Sequence, residues 1–198
     1  MLKYLRLAIV WMGLSTALLL QQSVADDGAV ADVGQTFDKE TVLGEATSYF
    51  GASAEGIASV IEKVFSERGE PVGFIRGREA GGAIIVGLRY GDGELVMSDG
   101  FTSELHWQGP SFGFDFGGNA SKVFVLVYNL SSVDDIFQRF PGVDGSLYFV
   151  GGAGVNYVKR DEITLAPIRV GLGWRAGASV GYMKITQSKS WNPFLTLL

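Results

Sequence analysis

The sequence predicts a mainly β fold of the α+β kind: a small, closed or nearly closed antiparallel barrel of about eight strands, with a helical segment in front and a short inserted helix. Three observations carry that expectation. Helical periodicity is confined to the chain before Val72, and strand-like alternation dominates after it. Of 28 glycines, 21 lie beyond Val72, mostly inside those alternating runs. In two of these runs they also keep to one strand parity. Gly113 and Gly117 stand among Phe112, Phe114 and Phe116, and Gly171, Gly173, Gly177 and Gly181 among Leu172, Trp174, Val180 and Tyr182. Glycine weakens a strand and marks a bend or a close backbone approach. One bulky face and one nearly bare face suit a sheet that closes on a small radius.

The elements are taken in chain order. Residues 1–25 have the three parts of a secretory signal peptide: Lys3 and Arg6, an apolar stretch from Leu7 to Leu20, and Ser23-Val24-Ala25 before Asp26, predicting cleavage after Ala25. Residues 26–36 are small and polar, a flexible lead-in. Residues 37–71 form the helical segment. Asp38 caps a short helix with Val42, Leu43, Ala46, Tyr49 and Phe50 on its apolar side, and Gly51 ends it. Ser53 opens a second helix, where Ile57, Val60, Ile61, Val64 and Phe65 make one apolar stripe before Gly69 and Pro71 stop it.

Residues 72–198 supply the barrel, in one domain with 37–71. Gly81 to Tyr90 and Glu94 to Met97 flank Gly91-Asp92-Gly93, which reads as a tight turn. Gln108 to Gly118 is the glycine–phenylalanine strand, and Val123 to Tyr128 is a nearly continuous apolar one. Ser131 to Phe140 reads as a short helix with Asp134 and Asp135 in its first turn. Gly145 to Val158, Ile163 to Val170 and Gly173 to Thr186 complete the strands, with Lys159 to Glu162 a charged hairpin loop.

Composition bounds function. Net charge is −5, and −7 once Lys3 and Arg6 are removed, so there is no basic footprint for nucleic acid. The absence of cysteine excludes disulfides, thiolate nucleophiles, cysteine zinc sites and a lipidated cysteine. The single histidine, His106, stands beside Trp107 and reads as a strand residue. Gly151-Gly152-Ala153-Gly154 lacks the lysine of a P-loop, and Gly91-Asp92-Gly93-Glu94 lacks the alternating ligands of an EF-hand. The sequence therefore predicts a non-enzymatic protein, with no cofactor, no metal and no catalytic residue.

Two residue sets stand out. Asp115 and Arg175 interrupt the bare face and are candidates for a buried ion pair. Phe112, Phe114, Phe116, Trp174 and Tyr182 are the candidate apolar ligand contacts, and core packing is their competing role.

Gly81 to Gly91 (GGAIIVGLRYG), Gly109 to Gly118 (GPSFGFDFGG) and Ser121 to Asn129 (SKVFVLVYN) together resemble the bacterial envelope integrity protein A family. The likeness runs from about Phe37 to Tyr182. The order of features is remotely similar to SYLF domains. The first resemblance implies a periplasmic β-barrel that supports cell-envelope integrity. The second implies a lipid or another apolar envelope component as ligand. Three partner readings stay open: such a ligand, an envelope protein or the cell wall without a small ligand, and an outer-membrane barrel, against which the helical segment and the terminal Leu-Thr-Leu-Leu argue. No stable transmembrane segment is expected after signal cleavage.

Overall fold

The computed structural model describes residues 35–51, 56–115, 120–170 and 181–189, without the side chains of 82–87 and 111–115. The signal peptide with its cleavage site and most of the lead-in lie outside the described residues, and the second helix starts at Ile57 behind Gly56 rather than at Ser53.

Two helices come first. α1 spans Lys39–Phe50, and the Asp38 carboxylate accepts a hydrogen bond from the Thr41 N–H at 2.8 Å, the expected cap. α2 spans Ile57–Arg68 and ends at Gly69, whose positive φ of 74° closes the last turn. Its stripe of Ile57, Val60, Ile61 and Val64 is fully buried. Each such side chain contributes about 1.5–3 kcal/mol by leaving water, so packing rather than helix propensity holds α2 in place.

Nine strands make one antiparallel sheet among the described residues: β1 (Gly73–Met97), β2 (Thr102–Asp115), β3 (Ser121–Tyr128), β4 (Arg139–Pro141), β5 (Tyr148–Val150), β6 (Ala153–Val155), β7 (Val158–Arg160), β8 (Ile163–Val170) and β9 (Tyr182–Thr186). Their lateral order is β4-β9-β2-β1-β3-β8-β6-β5, with β7 also on β8. A single bridge between Gly142, just beyond β4, and Val158 of β7 brings one end of the path back to the strand paired on β8. The predicted mainly β, barrel-like fold is what forms.

Strand parity sorts the side chains into two cores. Ile75, Leu95, Leu105, Val123, Val125, Val127, Leu165 and Ile185 face the inside of the curl. Phe74, Phe124, Leu126, Ala166 and Ile168 face out and pack under α1 and α2. Val123 to Tyr128 is buried on both faces, which explains its continuous apolar run.

Two local readings are corrected. Gly91-Asp92-Gly93 is not a turn: β1 runs through it, and the chain reverses at Ser98–Gly100, where the Phe101 N–H donates to Asp99 Oδ1 at 2.8 Å. The glycines serve close approach instead. β1 doubles back, so a Cβ on Gly93 would stand 2.8 Å from Gly77 Cα, and a Cβ on Gly77 or on Gly91 would collide with the Trp107 indole. The run from Gly145 to Val158 is three short strands rather than one. Gly151 and Gly152, at φ 54° and 78°, supply the positive-φ pair of a tight hairpin between β5 and β6. The inserted helix is a single 3-10 turn, Val133–Ile136, with no side-chain cap from Ser132.

Candidate functional site

Among the described residues the interior is apolar in one part and charged in the part next to it. Glu79 follows Ile75 and Gly77 on the inward parity of β1, and Arg169 follows Ile163, Leu165 and Pro167 on that of β8. Both are buried, at 5 % and 6 % exposure. Arg169 Nε donates to Glu79 Oε1 at 2.6 Å and an Nη donates to Oε2 at 3.3 Å. This is the two-pronged pairing that guanidinium geometry favours. The other Nη of Arg169 donates to Asn156 Oδ1 at 3.1 Å. Trp107 Nε1 donates to Glu79 Oε2 at 3.3 Å, and Arg89 Nε stands 3.4 Å from Oε1.

Two strands far apart in sequence position the pair, because Glu79 lies opposite Ser121 of β3 and Arg169 opposite Val123 of the same strand. Burial alone pushes the Glu79 carboxyl up. Arg169 and Arg89, with the hydrogen bonds from Arg169 and Trp107, outweigh it and hold the group below the ordinary carboxylate range. Glu79 is therefore an anion at neutral pH, neutralised in place. It is fitted to organise the interior rather than to exchange a proton.

A cavity of about 20 Å³ remains beside this cluster, lined by Arg89, Trp107, Asn156, Arg169 and Tyr182 among others. That is room for a single water. Tyr182 is the one predicted ligand contact with a described side chain. It is half-buried at the start of β9, and the Arg139 guanidinium lies 4.4 Å from its ring centre. Phe112, Phe114 and Asp115 lie on β2, paired with Val86, Ile84 and Ala83, but their side chains are outside the described set. Phe116, Trp174 and Arg175 also lie outside the described residues, and with Arg175 goes the expected pair with Asp115. Sequence reasoning missed Glu79, Arg89, Arg169 and Asn156. The signal for Arg169 was present: an arginine on the same parity as Ile163 and Leu165 in an otherwise apolar strand.

A second recess lies on the outer face of β1, β2 and β9. It has a volume of about 240 Å³ and is lined by Arg78, Tyr90, Asp92, His106, Thr186 and Lys189 among others. Asp92 stands directly opposite His106, and His106 opposite Thr186, in a line across the three strands. Among the described residues no cluster of three metal-type ligands occurs, and no helix is long and apolar enough to cross a membrane.

These features define a class: a curled antiparallel β-barrel with two helices on its outside and a neutralised ion cluster within. Residues 35–194 match the model of the family Envelope integrity protein A, and the chain belongs to that family. The chain is also similar to a beta-barrel-like, uncharacterized protein from Brucella abortus known from a crystal structure. The two share 44% sequence identity with a TM-score of 0.74, over 81% of this chain and 100% of that one. A comparison with curated proteins gives no match.

Proposed function

We propose that this protein supports cell-envelope integrity as an exported, non-enzymatic scaffold that makes its contacts from the outside of the barrel. In this reading the signal peptide delivers it to the periplasm, and cleavage after Ala25 leaves an acidic mature chain. The observation that carries the reading is the occupied interior. Among the described residues, apolar side chains fill one part of the curl, Glu79 and Arg169 fill the part next to it, and a water-sized cavity is left beside them. A lipid container needs a hollow there. The exterior, by contrast, carries exposed apolar side chains at Phe101, Leu147 and Phe149.

Native mass spectrometry of the protein purified from the periplasm, paired with cross-linking in cells, tests the reading. The expected result is a lipid-free mass that starts at Asp26, with cross-links to an envelope protein or the cell wall. A lipid retained at one per chain overturns the scaffold reading in favour of the lipid or apolar-component ligand. In that case Phe112, Phe114, Phe116, Trp174 and Tyr182 become the positions to probe.

A further inference from the structure

The helices cover only part of the sheet's outer face. α1 and α2 pack on the stretch formed by the start of β1, β3, β8 and β6. On β2 and on the later part of β1 the outward parity is instead polar: Tyr90, Asp92, Glu94, Glu104, His106 and Gln108. A solvated strand face of this composition normally stays flat and wet. Here Gln108 is 2 % exposed, and His106 Nδ1 is shut from solvent with no hydrogen-bond partner. The polar face has become a recess of about 240 Å³, with Ala120 and Lys189 on its walls.

We propose that this recess binds a small polyhydroxylated acid, an acidic saccharide unit. The volume is below the range typical of drug-sized ligands and fits a single sugar ring better than a chain or an acyl tail. Its groups match that chemistry one by one. Arg78, exposed on the recess wall, is a cation for a carboxylate. The Asp92 carboxylate accepts hydrogen bonds from hydroxyls, and the Thr186 hydroxyl can both donate and accept. His106 lines the recess with its Nδ1 sealed from solvent, which leaves Nε2 as its remaining polar atom for a ligand. Tyr90 adds an aromatic face, the surface against which the C–H side of a sugar ring packs. A simple anion has no use for Asp92, and a neutral sugar gives the Arg78 guanidinium no charge to meet. The inference rests on the reading that contacts are made from the barrel's exterior, and it names the ligand class for one part of that exterior.

His106 is the chain's single histidine, so its imidazole resonances report on the recess without assignment ambiguity. The protein, expressed as the full chain and purified in its exported form, is titrated with D-glucuronate, glucose and acetate while these resonances are followed by NMR. The expected result is a saturable shift with glucuronate, binding weaker by about tenfold or more with glucose, and no saturable shift with acetate. Arg78 and Asp92 are both exposed, so Arg78→Gln and Asp92→Asn leave the fold intact. Each is expected to weaken glucuronate by about tenfold. A shift as strong with acetate as with glucuronate means a simple anion site and overturns the proposal, as does the absence of any shift with glucuronate. Retained lipid, read separately by mass spectrometry, overturns the scaffold reading and leaves the titration interpretable.

Discussion

Inside the barrel Arg169 meets Glu79 at 2.6 Å, and on the outside of α2 Lys63 meets Glu67 at the same 2.6 Å. The side chains of the first pair are 8 % and 5 % exposed, and those of the second are 39 % and 37 % exposed. Equal distances here hide unequal physics. The outer pair sits in water, where the attraction is screened and two long side chains lose freedom to form it. The inner pair has already given up its hydration, so each partner depends on the other to remain tolerable. The two sites differ most in the stability lost when one partner is removed.

The largest expected effect is therefore at Arg169. Arg169→Met leaves the Glu79 anion buried with Arg89 and Trp107 alone, and removing one partner of such a pair destabilises by about 3–5 kcal/mol. Urea denaturation measures it. Adding Glu79→Met to that variant removes the orphaned charge, and the double variant is expected to regain much of the loss. A single variant as stable as the parent would place the interior pair in the same class as the outer one.

Next comes the glycine floor under Trp107. A methyl at Gly91 meets the indole, and overpacking of this kind costs about 1–3 kcal/mol. Gly91→Ala should lower stability and also shift tryptophan fluorescence, because the Trp107 indole must move away from residue 91. The more conservative Trp107→Phe tests the other side of the contact. It removes the Nε1 donor to Glu79 and should partly relieve Gly91→Ala when combined with it.

The pH dependence separates the two sites in a different way. The Glu79 carboxyl has a folded pKa below its ordinary 4.5, so it binds protons more readily when unfolded. Its contribution to stability is complete above about 4.5 and drains away as pH falls through the lower folded value. Glu79→Gln should flatten the fall in stability that sets in below about pH 4.5. A profile equally steep in parent and variant would show that other carboxylates govern acid unfolding.

These contrasts also explain which parts of the molecule were legible in the sequence. Helix signals act over neighbouring residues, so Asp38, the stripe from Ile57 to Val64 and the stop at Gly69 could all be read locally. The barrel-like fold was legible because glycine parity is a local pattern repeated many times. The role of each glycine was not. Gly91 and Gly93 look like a turn until Gly77 and Trp107 are known to lie against them, and that contact depends on β1 doubling back. The ion cluster was hidden for the same reason. Glu79 and Arg169 are 90 residues apart, and neither sequence neighbourhood names its partner. Parity would have placed Arg169 inward had it been read there, and an inward arginine implies an acid somewhere without saying which. The outer recess was harder still, since Asp92, His106 and Thr186 share it through strand register rather than through sequence spacing.

The smallest expected effect closes the comparison. In Lys63→Ala, α2 loses the contact to Glu67 and the approach of the ammonium to the Tyr148 ring, 5.7 Å from its centre. Hydrogen bonds first from Lys63 and then from Tyr157 hold the Glu67 carboxyl below its ordinary range. The variant removes the first and leaves the Tyr157 hydroxyl donating to Glu67. With water free to solvate what remains, the loss should stay under about 1 kcal/mol and shrink further at high salt. Alanine's favourable helix propensity offsets part of even that. Thermal denaturation at low and high salt measures both quantities. A loss that approaches the Arg169→Met value, or one indifferent to salt, would mean that the α2 surface is anchored as tightly as the barrel interior, and that exposure does not set the worth of these two contacts.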